Sequence, residues 1–125
     1  MSATKTKGQL EAEISAAMVQ FEREYMGRGP EETRTYLIDD LVLVRLRGVL
    51  TPAEKQLADS DAGGDGRRLI KEVRMQLLEK ARPLLVSIIK DILHQEVISL
   101  HTDISIRTGE RVILFSLVGP PSFAS

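Results

Sequence analysis

The sequence predicts an α+β domain: a four-stranded antiparallel sheet built from two hairpins, helices packed on one face, in the chain order αββ-α-αββ. Three observations carry that expectation. Two pairs of β-rich runs flank turn residues, at 33–47 and 97–118. Each pair follows a segment whose apolar residues recur every three or four positions. At 125 residues the chain has the size of a single domain that buries a core unaided.

The second hairpin is the most fully specified. Runs Val97 to Ile106 and Arg111 to Val118 flank Arg107-Thr108-Gly109-Glu110, where Gly109 supplies the positive φ of a tight turn. With Thr108 and Gly109 as the loop, Ile104 pairs with Ile113, Thr102 with Phe115 and Leu100 with Leu117 on one almost wholly apolar face. The other face then holds Ser105 with Val112, Asp103 with Leu114, and His101 with Ser116.

The remaining elements follow in order. Residues 1–7 are small and polar and read as a fraying start. Leu10, Ile14, Met18, Phe21 and Tyr25 lie on one stripe of a helix over Gln9 to Tyr25, with Glu11, Glu13, Gln20, Glu22 and Arg23 on its wet side. Gly27-Arg28-Gly29-Pro30 stops it. Thr33 to Ile38 and Leu41 to Arg47 form the first hairpin around Asp39-Asp40, pairing Leu37 with Val42 and Thr35 with Val44 on one face, Ile38 with Leu41 and Tyr36 with Leu43 on the other.

Thr51-Pro52-Ala53-Glu54 spells an N-cap, a first-turn proline and a capping-box glutamate, opening a short helix to about Ala58. The glycine-rich stretch 60–66 reads as a flexible loop and 119–125 as a tail. From Arg67 to about His94, Ile70, Val73, Leu77, Ala81, Leu84 or Leu85, Ile88 and Ile92 mark the core stripe of a long helix, and Pro83 predicts a kink or two helices in series. Arg67, Arg68, Lys71 and Arg74 read as a solvated basic face.

Composition narrows the function. A net charge of -1 without a basic block argues against a duplex-DNA partner, and 4% aromatic content without Trp removes stacking platforms for single strands, so no nucleic-acid partner is expected. The absence of cysteine excludes disulfides and thiolate metal sites and fits a reducing cytoplasm. Apolar runs fall short of a membrane helix, so no direct membrane insertion is expected.

Three features are candidates for chemistry or contact. His101 and Asp103 leave the same face of a strand and form a possible polar site, but a third ligand is missing, so neither a metal nor a catalytic role is expected. Gly27, Arg28 and Gly29 make a candidate anion cradle of backbone N–H groups and one guanidinium, though the loop follows a helix instead of opening one. Tyr36, Ile38, Leu41, Leu43, Val112 and Leu114 form an apolar patch on the back of the sheet if the helices cover the Val42 and Phe115 side, with Arg34, Arg45 and Arg47 as a polar rim. That patch predicts a homodimer or a docked partner chain.

The strings Gly27-Arg28-Gly29-Pro30-Glu31-Glu32, Val42 through Glu54, and His101-Thr102-Asp103-Ile104-Ser105 with Thr108-Gly109-Glu110-Arg111-Val112 together resemble the MpsC-like family. That small bacterial domain is named after a component of a sodium-translocating, membrane-potential-generating system. The resemblance runs from about Lys7 to Leu117. It implies association with a membrane system for ion or inorganic-carbon transport, supplies no catalytic residues, and leaves ion movement to a partner. The resulting expectation is a cytoplasmic interaction or regulatory module, homodimeric and not an enzyme, with no cofactor and with a membrane transport protein as a possible partner. The alternative is a small-anion or nucleotide-sensing domain.

Overall fold

The computed structural model describes residues 4–59 and 64–124. Its elements run α1 (Lys7–Met26), β1 (Glu32–Ile38), β2 (Leu41–Arg47), α2 (Pro52–Asp59), α3 (Asp65–Leu93), β3 (Val97–Ser105) and β4 (Glu110–Leu117). The strands form one antiparallel sheet in the order β1-β2-β4-β3, so the two hairpins meet through β2 and β4. The architecture is the α+β arrangement the sequence predicts. Of the glycine-rich stretch read as flexible, 60–63 lies outside the described residues, Gly64 caps α3, and Asp65 and Gly66 are its first turn.

The core lies between the helices and the inward side of the sheet. Val42, Val44 and Leu46 of β2 alternate with Ile113, Phe115 and Leu117 of β4, all fully enclosed. Leu10, Ile14, Met18 and Phe21 of α1 and Leu78, Leu85 and Ile89 of α3 join them in one core. Each such side chain contributes roughly 1.5–3 kcal/mol by leaving water, which outweighs the weaker local preferences of the segments. Thr6, from the stretch read as fraying, closes a capping box with Gln9 and bridges Ala124, whose N–H donates to the Lys5 carbonyl at 2.7 Å.

The first hairpin has the predicted register, Leu37 opposite Val42 and Tyr36 opposite Leu43, with Asp39 in the left-handed region at φ 53°. The second does not. Ile104 faces Arg111 and Thr102 faces Ile113, two positions from the predicted pairing of Ile104 with Ile113. The loop is longer than Thr108-Gly109: residues 106–109 turn together, closed by the Gly109 N–H donating to the Ser105 carbonyl at 2.8 Å. A slip of two preserves which side chains share a face, so burial alone could not reject the shorter loop. Arg111, two positions before Ile113, faces inward in either register and is enclosed.

The long helix buries Ile70, Ala81 and Leu85 of its predicted stripe and departs from it elsewhere. Its enclosed positions are Ile70, Arg74, Leu78, Ala81, Leu85, Ile89 and Leu93, while Val73 and Leu77 remain 50% and 39% exposed. Two apolar stripes run side by side along α3, and the one that turns inward includes an arginine. Pro83 neither ends nor divides the helix. Its ring is on the exposed side, where water can serve the Glu79 carbonyl that loses its intrahelical donor.

Candidate functional site

Among the described residues the sheet is covered on one side only. Its open side is a regular grid set by the strand registers. One row reads Ile38, Leu41, Ser116 and Ser99; the next Tyr36, Leu43, Leu114 and His101; the third Arg34, Arg45, Val112 and Asp103. Tyr36 and Ile38 are 39% and 51% exposed, and Leu41, Leu43, Val112 and Leu114 are half-buried among themselves. The six predicted patch residues are thus contiguous. At the end of the grid, Arg45 donates to Glu110 at 2.8 Å and Arg47 approaches the same carboxylate at 3.5 Å.

His101 and Asp103 do share this face, two positions apart on the edge strand β3. Asp103 is already occupied: its Oδ1 accepts from the Ile104 N–H at 2.8 Å and lies 3.1 Å from Lys71 Nζ. Those contacts, the backbone bond foremost, hold its carboxyl below 3.8. Among the described residues no group of three or more His, Asp or Glu is placed to hold a metal ion.

The Gly27–Gly29 loop is likewise committed. Gly27 is the left-handed C-cap of α1, and Arg28 turns inward, donating to the Leu50 carbonyl at 3.3 Å and to Glu31 at 3.2 Å. The guanidinium read as an anion ligand braces the segment that joins β2 to α2.

A second charged group lies in the core, where the sequence suggested none. Glu22 of α1 and Arg111 of β4 are 0% and 1% exposed, with Glu22 Oε1 and Arg111 Nε 3.4 Å apart. Arg74 of α3, 2% exposed, is 4.0 Å from Glu22 and makes a two-pronged pair with Glu54 of α2 at 2.7 and 2.8 Å. Its Nη2 also donates to the Val49 carbonyl at 2.9 Å, while Arg111 donates to Thr102 Oγ1 at 3.3 Å. Three helices and two strands are tied at this point.

The cluster is unevenly satisfied. Among the described residues, both Glu22 oxygens, Arg74 Nη1 and two Arg111 nitrogens have no hydrogen-bond partner. Desolvation therefore dominates, raising the Glu22 carboxyl above 4.5 against the pull of Arg111 and Arg74, and lowering the Arg111 guanidinium against the pull of Glu22. Arg111 stays protonated nonetheless. Burial also works against the Glu54 carboxylate, but the bonds from Arg74 and Thr51 together hold it below 4.5.

The sequence reading set Glu22 on the wet side of α1 and Arg74 on a solvated face. The signal that places them inside is positional: Glu22 is four residues after Met18, Arg74 four before Leu78, and Arg111 two before Ile113.

Residues 6–118 match the protein family described as Na+-translocating membrane potential-generating system (MpsC). The chain is also similar to a Bacillus subtilis (strain 168) protein described as uncharacterized protein YbcI, 42% identical over 113 residues, which span 90% of this chain and 89% of that one. No solved structure matches it.

Proposed function

Because the chain belongs to the MpsC family, whose name ties it to a Na+-translocating system, we propose that it is an association module for such a system, without catalysis of its own, and that it pairs with a second copy through the open sheet face. The observation that carries this reading is the grid of Tyr36, Ile38, Leu41, Leu43, Val112 and Leu114, left without a covering layer among the described residues. Exposed apolar surface that is contiguous and rimmed by charge marks a contact surface more often than isolated apolar residues do. Among the described residues no helix is long and apolar enough to cross a membrane, so ion movement falls to the partner.

Four strands about 4.8 Å apart and seven residues at about 3.3 Å give roughly 400 Å² of flat footprint, below the usual 800 Å² per partner. The pairing is therefore reversible and concentration-dependent, and an apolar residue at its centre carries much of it. Sedimentation equilibrium between about 1 and 100 µM is expected to show dimer forming for the wild type and monomer throughout for Leu43→Lys. A wild type that stays monomeric over that range, or a Leu43→Lys protein that dimerises equally well, overturns the reading.

A further inference from the structure

At the end of the sheet where Arg45 and Arg47 emerge, the connection from β2 to α2 and the turn between β3 and β4 enclose a cleft of about 770 Å³, within the range of small-molecule sites. Its walls are held from behind at several points. Arg28 donates to the Leu50 carbonyl and Arg74 to the Val49 carbonyl, while the Val49 N–H donates across to the Gly109 carbonyl at 3.1 Å. Thr51 and Glu54 lock the start of α2 by exchanging bonds of 2.8 and 3.2 Å. Gly48, at φ +67°, runs so close to Glu31 that a Cβ would meet its carboxylate at 2.5 Å. A short connection stabilised by two inward-facing guanidiniums is pre-organised, and pre-organisation is what a binding surface gains from.

The charges inside the cleft are unevenly matched. Of its acids, Glu31 accepts from Arg28, and Glu110 is shared by Arg45 and Arg47. Lys55 on α2 and Arg107 in the turn also line it, and among the described residues neither side chain has an ion-pair or hydrogen-bond partner. Asp59 is the remaining acid. Apolar wall is supplied by Leu50, Ala58 and Ile106.

We propose that this cleft binds a small organic phosphate, its phosphate between Lys55 and Arg107 and its apolar body against Leu50 and Ile106. Two free cations match a dianionic head better than a monocarboxylate, and the arginine fork matches its oxygens. Asp59 opposes the ligand and sets a ceiling on its affinity. The cleft's two binding cations are separate from the sheet-face pairing, since Lys55 and Arg107 lie outside the strand rows that form that face, while Arg45, Arg47 and Glu110 at the rim border both.

Phenyl phosphate is the probe, followed by amide chemical shifts in the intact chain. Saturable shifts centred on Gly48, Arg107, Thr108 and Gly109 are expected, with none from benzyl alcohol, which has the ring without the charge. Lys55→Glu/Arg107→Glu should weaken the titration at least tenfold while melting like the wild type, because both side chains are exposed. Asp59→Asn should tighten it. Absence of saturable shifts at those amides overturns the proposal, as does a folded charge-reversal variant that titrates like the wild type, or an Asp59→Asn protein that binds more weakly.

Discussion

Arg111→Met lowers the unfolding free energy by up to about 3 kcal/mol at pH 7, and by less as the pH falls towards 5. The reason lies in Glu22. Without the guanidinium at 3.4 Å, the enclosed carboxyl must hold its proton, which costs about 1.4 kcal/mol for each pH unit above 4.5. The sign follows from its direction of shift. Glu22 is raised in the folded chain, so its contribution to stability is fully present below the unfolded value and is lost as pH rises through the folded one. Removing Arg111 raises it further and leaves the acid side nearly unchanged. Adding Glu22→Leu to Arg111→Met restores stability to near the wild type, because a buried pair exchanged for apolar volume is often neutral. Urea unfolding at pH 5 and pH 7 decides it: equal losses at both, or a double variant as weak as the sum of two costly singles, contradicts this account.

Arg74→Met costs more, about 3–5 kcal/mol, because it strips three bonds at once: two to Glu54 and one to the Val49 carbonyl. The damage is also local. The Val49 N–H that bonds Gly109 is expected to exchange with solvent by an opening well below the cost of global unfolding, since the connection has lost its inner brace. Acid sensitivity changes too. Glu54 is lowered in the wild type, so its contribution is present above 4.5 and lost as pH falls through its depressed value. In Arg74→Met that acid-side loss shrinks. A variant that unfolds with the wild-type midpoint and an unchanged acid limb would show that Glu54 does not depend on Arg74.

These two arginines also mark where the sequence reading stopped. A pattern search scores apolar residues, so it chose the α3 stripe through Val73 and Leu77, which contains no charge, over the one through Arg74 and Leu78. The structure prefers the second because Glu54 and Glu22, from two other helices, stand where Arg74 arrives. Likewise Arg111 shares its face with Ile113 in either register of the second hairpin, but a reading that scores that face as apolar passes over it, and only the fold shows that it meets Glu22. Complementary charges from segments distant in the chain cannot be read from any one segment's periodicity. The open sheet face was legible because alternation is a local property: Tyr36 and Leu43 fall on one side of their strands whatever else packs nearby.

The amino-acid order alone determined the succession of elements, the register of the first hairpin, the capping box that opens α2, and which strand residues share a face, since each follows from backbone geometry within a few residues. Tertiary structure alone decided which of two stripes α3 buries, the length of the β3–β4 turn, the inward turn of Arg28 and the enclosure of Glu22, Arg74 and Arg111. The physical reason is the range of the forces. Pleat and helical period act between neighbours in the chain, whereas desolvation and charge pairing are settled only when remote segments share one dry volume.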